Sequence, residues 1–197
     1  MAISASAKKK LEALSTAIHN CTACPLAAGR LTAVPGDGDP ASEILFIGEG
    51  PGKKEDETGH PFVGAAGKFL DEMLKAIGKT RAEVFVTNVV KCRPPENRDP
   101  EPEEITTCTD RFLWQQIELM NPKLIVTLGR HSMGLFLPPE MKISQVHGQP
   151  KKVKNRVVLP LYHPAAALYN GGMRATLLYD FKKIPLVVKK IDAKTAH

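Results

Sequence analysis

The chain has 197 residues, of which 43% are hydrophobic and 24% are charged, and it carries 27 Lys and Arg against 21 Asp and Glu. That composition is too apolar for a disordered chain, and no apolar run reaches the roughly 20 residues that span a bilayer. The N-terminus lacks the continuous apolar stretch of a secretory signal, so we expect a cytoplasmic protein without membrane contact. The length predicts one domain over residues 1–197, with a core at about 11–185 and a short C-terminal tail.

Helical and strand patterns alternate along the chain. In order, apolar spacing predicts a helix at 4–19, a strand at 44–47, a helix at 64–77, a strand at 84–90, a helix at about 102–120, a strand at 124–128, a helix at 129–137, a strand at 157–161 and a helix at 172–183. Short apolar strands that alternate with helices are typical of parallel sheets with right-handed crossovers. The sequence therefore predicts an α/β fold of three layers, α/β/α, around a central, mostly parallel four-stranded sheet.

Four loops follow the carboxyl ends of the predicted strands, at 48–52, 88–92, 129–132 and 162–168. In parallel sheets the binding site lies beyond these ends, so we expect the loops to converge on it. The first loop reads GEGPG, and its glycines let backbone N–H groups approach a ligand closely. It is neither a Walker loop nor a dinucleotide-binding GxGxxG, so the parts for nucleotide triphosphate chemistry are missing.

Four cysteines form a second candidate site. Cys21 and Cys24 have two residues between them, whereas Cys92 and Cys108 have 15. In a reducing compartment metal ligation is a better use of thiols than disulfides, and four thiolates suit a tetrahedral zinc ion or a [4Fe–4S] cluster. The spacing does not choose between them, although one close pair with two distant cysteines favours a cluster that joins three segments. Four unrelated buried thiols are the third alternative.

Three more motifs complete the pattern, GHPFVG at 59–64, TNVVKCRPP at 87–95 and HPAAAL at 163–168. Taken in order with the first loop and the cysteines, over about residues 11–185, they closely resemble the family 4 uracil-DNA glycosylases, the iron–sulfur branch of that superfamily. The resemblance implies a DNA repair enzyme that flips uracil out of single- or double-stranded DNA and hydrolyses its N-glycosidic bond, leaving an abasic site. It also implies the fold of those enzymes and a [4Fe–4S] cluster on Cys21, Cys24, Cys92 and Cys108.

The resemblance also implies a base pocket, built from Gly48, Gly50, Pro51, Gly52, Phe62 and Asn88. Phe62 would stack on the base, although the residue type fits an ordinary core phenylalanine nearly as well. Asn88 would accept from uracil N3–H and donate to O4, a pattern that cytosine cannot match. An asparagine that caps a strand end is the alternative.

Glu49 and His163 are the implied catalytic residues. His163 would donate a hydrogen bond to uracil O2 and stabilise the negative charge of the leaving base, unless it is a structural cap before Pro164. Glu49 would orient the attacking water or stabilise the cationic sugar.

The first loop departs from the best-known uracil glycosylases, which have an aspartate where this chain has Gly50 and a tyrosine where it has Gly52. Activation of water by an aspartate is therefore not carried over to this chain. Another side chain of the pocket would have to exclude thymine, and Glu49 is the candidate. Glu55 and Asp56 are reserve carboxylates, for which a solvated acidic loop is the simpler role.

The net charge of +6 agrees with a polyanionic partner, which the resemblance identifies as uracil-containing DNA. Leu168 follows the histidine motif where related enzymes insert an apolar wedge, with Arg174 nearby; a buried leucine is the alternative. The basic residues expected to hold phosphates are Lys91, Arg93, Arg98 and the cluster at 151–156.

Two other functions share this pattern. One is an iron–sulfur protein that traps uracil-DNA covalently through a histidine in an arginine-rich insertion, and this chain has no histidine between Cys92 and Cys108, where that loop is expected. The other is a non-catalytic protein that docks on repair or replication machinery. We expect turnover by a monomer, with no further partner required.

Overall fold

The computed structural model describes residues 3–195. They contain one mixed sheet of six strands. The strands are β1 (Asp37–Gly38), β2 (Ile44–Gly48), β3 (Phe85–Asn88), β4 (Leu124–Leu128), β5 (Lys151–Val153) and β6 (Arg156–Leu161). Across the sheet they lie in the order β1-β3-β2-β4-β6-β5. The four inner strands are parallel, as predicted, and each outer strand pairs antiparallel with its neighbour.

The two outer strands are the strands that the sequence does not predict. Every residue of β2 and β4 is buried, which produces the continuous apolar runs of strands covered on both faces. In contrast, β1 has two residues and β5 reads Lys-Lys-Val, so neither carries an apolar period. The predicted four-stranded sheet is therefore the parallel centre of a larger one.

Helices surround the sheet in the part of the chain that the structure describes. They are α1 (Ala5–His19), α2 (Leu26–Gly29), α3 (Lys53–Thr58), α4 (Ala65–Ala76), α5 (Pro102–Cys108), α6 (Trp114–Met120), α7 (Arg130–Gly134), α8 (Ile143–Val146), α9 (Ala166–Tyr169), α10 (Gly171–Phe181) and α11 (Ile184–Thr195). The helix predicted at 102–120 is divided by a π turn at Thr109–Leu113, directly after Cys108. Over residues 3–195, no helix is long and apolar enough to cross a membrane.

Side chains of β2 alternate between two cores. Phe46 lies in the core formed with α4, α10 and α11, where its ring stacks on that of Phe181 with centroids 5.5 Å apart. Leu45 and Ile47 belong to the other core, which they share with α1 and α6. Helices thus cover both faces of the sheet, and the predicted three layers are present.

The segment after Lys183, expected as a short tail, forms the helix α11. Ile184 is fully buried and Val187 is 7% exposed, and both belong to the core that contains Phe46. At least the first half of α11 is therefore part of the packed fold.

Candidate active site and cysteine pocket

A cavity of about 480 Å³ lies at the carboxyl ends of the inner strands. The loops that follow β2 and β6 contribute to it, together with Asn88 at the end of β3 and the loop at 94–99. Seven of the predicted site residues line it, namely Glu49, Gly50, Pro51, Gly52, Phe62, Asn88 and His163. The structure therefore brings together the residues that the sequence places in one pocket.

Gly48 lies between the ring of Phe62 and the amide of Asn88. A Cβ at this position would stand 2.6 Å from Phe62 Cζ and 2.4 Å from Asn88 Oδ1, so any side chain would push ring and amide away. A glycine at the end of β2 is thus what allows the ring and the amide to approach each other.

Asn88, the last residue of β3, presents an unpaired acceptor. The residue is 1% exposed, and its Oδ1 atom has no hydrogen-bond partner among the described residues. A buried acceptor left without a partner costs about 1–3 kcal/mol, so such atoms often mark the place of a ligand or water. Because Asn88 lines the cavity, a donor group on a bound molecule would satisfy Oδ1.

His163 follows β6 and is held as a neutral ring. Burial lowers the pKa of His163 to about 4, against a smaller opposing effect of the Glu55 carboxylate. Nδ1 accepts a hydrogen bond from the backbone N–H of Ala165 at 3.2 Å, so the neutral ring carries its proton on Nε2. The ring centroid lies 5.6 Å from that of Phe62. His163 therefore supplies one N–H donor beside the aromatic face.

Glu49 is half-buried, and burial raises the pKa of its carboxyl group. Its Oε2 atom lies 3.7 Å from Nε2 of His131, which in turn lies 3.5 Å from Oδ1 of Asp99. His131 and Arg130 lower the pKa of Glu49 and Asp99 raises it, each by less than burial does. His131 lies in α7, within the segment 129–132 that the strand-end rule marks, whereas no sequence signal points to Asp99.

Glu55 holds the cavity loops together. Its carboxylate accepts hydrogen bonds from the backbone N–H groups of Gly52 at 3.1 Å, Val63 at 2.9 Å and Gly64 at 2.8 Å. The simpler role of a solvated acidic loop is therefore wrong for Glu55, and also for Asp56, which is 2% exposed. Glu55 joins the GEGPG turn to the loop that carries the stacking candidate.

The two predicted DNA-binding residues have different surroundings. Leu168 lies in α9 and is 50% exposed, so the alternative of a buried leucine is wrong; its neighbour Tyr169 lines the rim of the cavity. Arg174 does not line the cavity. It pairs with Glu72, and its guanidinium lies 4.4 Å from the ring centroid of Phe69.

All four cysteines line one small pocket, so the alternative of four unrelated thiols is wrong. Arg30 Nη1 donates a hydrogen bond to Cys92 Sγ at 3.0 Å, and the backbone N–H of Lys91 donates to Cys108 Sγ at 3.3 Å. Burial raises the pKa of the Cys92 thiol, and it raises that of Cys108 to about 11. A metal or cluster bound here would have to displace those protons.

Lys91 lies in the interior, between the cysteine pocket and the cavity. It is 1% exposed, so the prediction that it contacts DNA phosphates is wrong. Its Nζ donates to the backbone oxygen of Asn88 at 2.8 Å, to Thr87 Oγ1 at 2.7 Å and to Gln116 Oε1 at 2.8 Å. Burial lowers its pKa to about 8. Lys91 thus joins the Asn88 loop to α6.

The other predicted phosphate contacts fall into two groups. Arg98 belongs to the loop that lines the cavity, and Arg93 immediately precedes that loop. Arg98 is itself forked onto Glu104, with N···O distances of 2.9 and 2.7 Å. The cluster at 151–156 forms the β5–β6 hairpin at the amino end of β6, which is the opposite end of the sheet from the cavity.

The fold is that of the uracil-DNA glycosylase class: the model of the Uracil DNA glycosylase superfamily matches residues 35–183, and the chain belongs to that superfamily. The Type-4 uracil-DNA glycosylase of Sulfurisphaera tokodaii is 50% identical over 183 residues, which cover 88% of this chain and 83% of that protein. The Type-4 enzyme of Saccharolobus solfataricus is 45% identical over 187 residues, covering 88% and 84%. That of Archaeoglobus fulgidus is 45% identical over 184 residues, covering 89% and 92%.

These matches confirm the family that the motifs predict, and with it the α/β/α fold. At the level of the family they also confirm the prediction of a DNA repair glycosylase.

Proposed function

We propose that this chain excises uracil from DNA, holding a base swung out of its strand and hydrolysing the N-glycosidic bond to leave an abasic site. Its superfamily and the names of its relatives support that activity. The observation that carries the proposal for this chain is the buried, unpaired Oδ1 of Asn88 in a cavity that also offers an aromatic ring and a histidine donor.

Uracil is read by its edge and its face. The free Oδ1 of Asn88 accepts the hydrogen bond of uracil N3–H, and Nδ2 of the same amide donates to O4. Cytosine has no proton at N3 and an amino group in place of O4, so it leaves both atoms of the amide mismatched. Phe62 supplies the stacking surface, and Gly48 leaves the space between ring and amide.

The neutral His163 stabilises the leaving group. As the bond between the base and the sugar C1′ breaks, negative charge develops on uracil and is shared by N1, O2 and O4. The Nε2–H of His163 donates to O2, and a preorganised donor of this kind contributes about 10²–10³ in rate. Its pKa of about 4 keeps the ring neutral, so it donates a hydrogen bond and does not protonate the base.

Glu49 acts on the sugar side of the reaction. Its carboxylate stabilises the positive charge that develops at C1′ and orients the water whose oxygen forms the new bond to that carbon. A raised pKa makes the carboxylate a better acceptor for the proton that this water loses. The His131 ring lies 3.7 Å from the Glu49 carboxylate and 3.5 Å from the Asp99 carboxylate.

The cysteine pocket suits a [4Fe–4S] cluster. Among the described residues, the group of three or more metal-ligating side chains whose ligand atoms all lie within 4.8 Å of one another is Glu49, Asp99 and His131, so no three cysteine sulfurs lie that close together. One zinc ion, with Zn–S bonds of about 2.3 Å, would hold its sulfurs about 3.8 Å apart. A bound cluster supplies a cross-link between three segments and a one-electron centre, with N–H donors on its sulfur ligands.

DNA, single- or double-stranded, would lie across the cavity end of the sheet, and the chain would act as a monomer. The exposed Leu168 enters the gap that the flipped base leaves, which offsets an unstacking cost of about a few kcal/mol. Arg174 would reach a phosphate only by releasing Glu72.

The test is a uracil-containing oligonucleotide incubated with protein and then with alkali, alongside matched cytosine and thymine strands. We expect breakage at uracil alone. Asn88→Asp replaces the amide donor by a second acceptor and should lower the single-turnover rate about 10-fold or more. Asn155→Asp, in the hairpin at the far end of the sheet, is the matched control. Intact uracil strands with wild-type protein refute the proposal, and a heat-stable protein–DNA adduct on a denaturing gel would replace turnover by covalent trapping.

A further inference from the structure

Phe62 has an unusual backbone conformation for a residue with a side chain. Its φ angle is 55°, in the left-handed region that non-glycine residues seldom adopt. Strained residues of this kind persist only where their surroundings fix them, and they cluster at functional sites. The contacts that fix Phe62 therefore bear on the pocket that it lines.

One arginine makes the main polar contact with this backbone. Arg81 Nη2 donates a hydrogen bond to the Phe62 carbonyl oxygen at 2.6 Å, and its guanidinium carbon lies 5.9 Å from the Phe62 ring centroid. The Nε atom of the same group donates to Asp71 Oδ1 at 2.5 Å, which holds the fork against α4. The planar guanidinium can make both bonds at once, as a lysine ammonium on its flexible stem cannot with the same geometry.

The Phe62 loop has an open side, away from the strand-end cavity that we propose binds uracil (the uracil cavity). A groove of about 890 Å³ lies there, lined in part by Asp37, His60, Phe62, Lys68, Asp71 and Arg81. This groove is larger than the uracil cavity but lacks Glu49, Asn88 and His163, so the proposed chemistry does not belong to it. Because this groove lies behind the loop, the arginine bridges a region that the hydrophobic core does not fill.

We infer that Arg81 is a positioning residue: it sets the stacking face of Phe62 for a flipped base without touching that base. The inference rests on the proposed function, because it takes Phe62 as the stacking surface. Gly67 supports it independently, since a Cβ there would lie 1.7 Å from the Phe62 carbonyl oxygen. The Phe62 carbonyl that Arg81 binds therefore occupies the space that a side chain at Gly67 of α4 would need.

A double-mutant cycle tests whether Arg81 acts on the base through Phe62. Arg81→Met should lower kcat/KM for uracil excision about 10-fold, mainly through KM, and weaken the binding of free uracil in calorimetry by a similar factor. In a Phe62→Ala background the same change should have little further effect, because its route to the base is gone. Arg156→Met, the same substitution in the hairpin at the opposite end of the sheet, should change kcat/KM less than about 3-fold.

Gly67→Ala displaces the same carbonyl without touching Arg81, and it keeps the test available if Arg81→Met does not fold. It should weaken free uracil binding, again without further effect in Phe62→Ala. Equal losses in both backgrounds, or unchanged uracil binding in both single variants, overturn the inference. If wild-type protein releases no uracil, the proposed function fails; if it does and the cycle is additive, only the role of Arg81 fails.

Discussion

At the scale of single residues, burial acts on both catalytic candidates in the same sense. It raises the pKa of Glu49 and lowers that of His163, so in each case the uncharged form is favoured. The consequences differ, because His163 needs to be neutral to donate to O2, whereas Glu49 needs to be ionised to stabilise a cation. The low-pH limit of the reaction should therefore come from Glu49 rather than from His163.

Glu49→Gln tests that assignment. We expect a single-turnover rate about 10² lower, because the amide neither accepts a proton nor stabilises a cationic sugar. The wild-type rate should rise with pH through a carboxyl pKa above the ordinary glutamate value, since that pKa is raised, and the variant should lack this rise. Glu57→Gln, on an exposed position of α3, is the matched control. A variant that keeps the rise would assign it to another group.

His163 links protonation to stability. Its folded pKa of about 4 lies below the ordinary value of 6.5. Between those values the unfolded chain takes up a proton that the folded chain does not, so the free energy of unfolding decreases as the pH falls below 6.5. His163→Gln removes this effect. From pH 7 to pH 5, urea unfolding should show wild-type protein losing about 2 kcal/mol more stability than the variant. Equal losses would mean that the ring is not buried in its neutral form.

The sequence predicts site residues where local pattern decides their place. Glu49, Asn88 and His163 end or directly follow apolar strands, so the topology of a parallel sheet brings them to one edge. Asp99 and Arg81 could not be predicted in this way. They lie in an irregular loop and a single 3₁₀ turn, and only tertiary packing carries them to Glu49 and Phe62.

At the scale of elements, the cysteine pocket joins segments that the sheet alone does not order. The α1–α2 region supplies two of the four thiols, the loop after β3 supplies the third, and the end of α5 supplies the fourth. The π turn that follows Cys108 shifts the rest of the helix relative to α5, and local insertions of this kind are frequent at functional sites. The apolar spacing of the sequence does not reveal this π turn, so the sequence predicts one continuous helix there.

Removal of one ligand should expose the structural role of the pocket. We expect wild-type protein to contain four irons with inorganic sulfide per chain, and Cys108→Ser to lose them. Because the cross-link between three segments is lost with them, thermal unfolding should shift down by about 5–10 °C, which corresponds to about 2–4 kcal/mol. Thr107→Ser, in the same pocket, is the control. Stoichiometric zinc in protein purified without air would contradict the cluster.

At the scale of the whole molecule, the positive charge that the composition records is not confined to one face. Part of it lies beside the cavity, where Arg93 precedes the loop at 94–99, and part lies in the lysine-rich β5–β6 hairpin at the other end of the sheet. The sequence could predict the excess charge and the parallel sheet, but the place of the hairpin depends on β5, whose Lys-Lys-Val sequence gives no strand signal.

Two matched substitutions distinguish these regions. DNA laid over the cavity contacts only the cavity end, so Arg93→Ala should weaken binding to a uracil oligonucleotide and reduce the slope of log K against log salt by about 1. Lys152→Ala removes the same charge from an exposed position of the hairpin and should leave that slope unchanged, because the sheet separates it from the bound strand. Fluorescence anisotropy over a range of salt concentrations measures both. Equal changes in slope would mean that DNA extends around the molecule to the lysine hairpin, and the single approach at the cavity end would have to be abandoned.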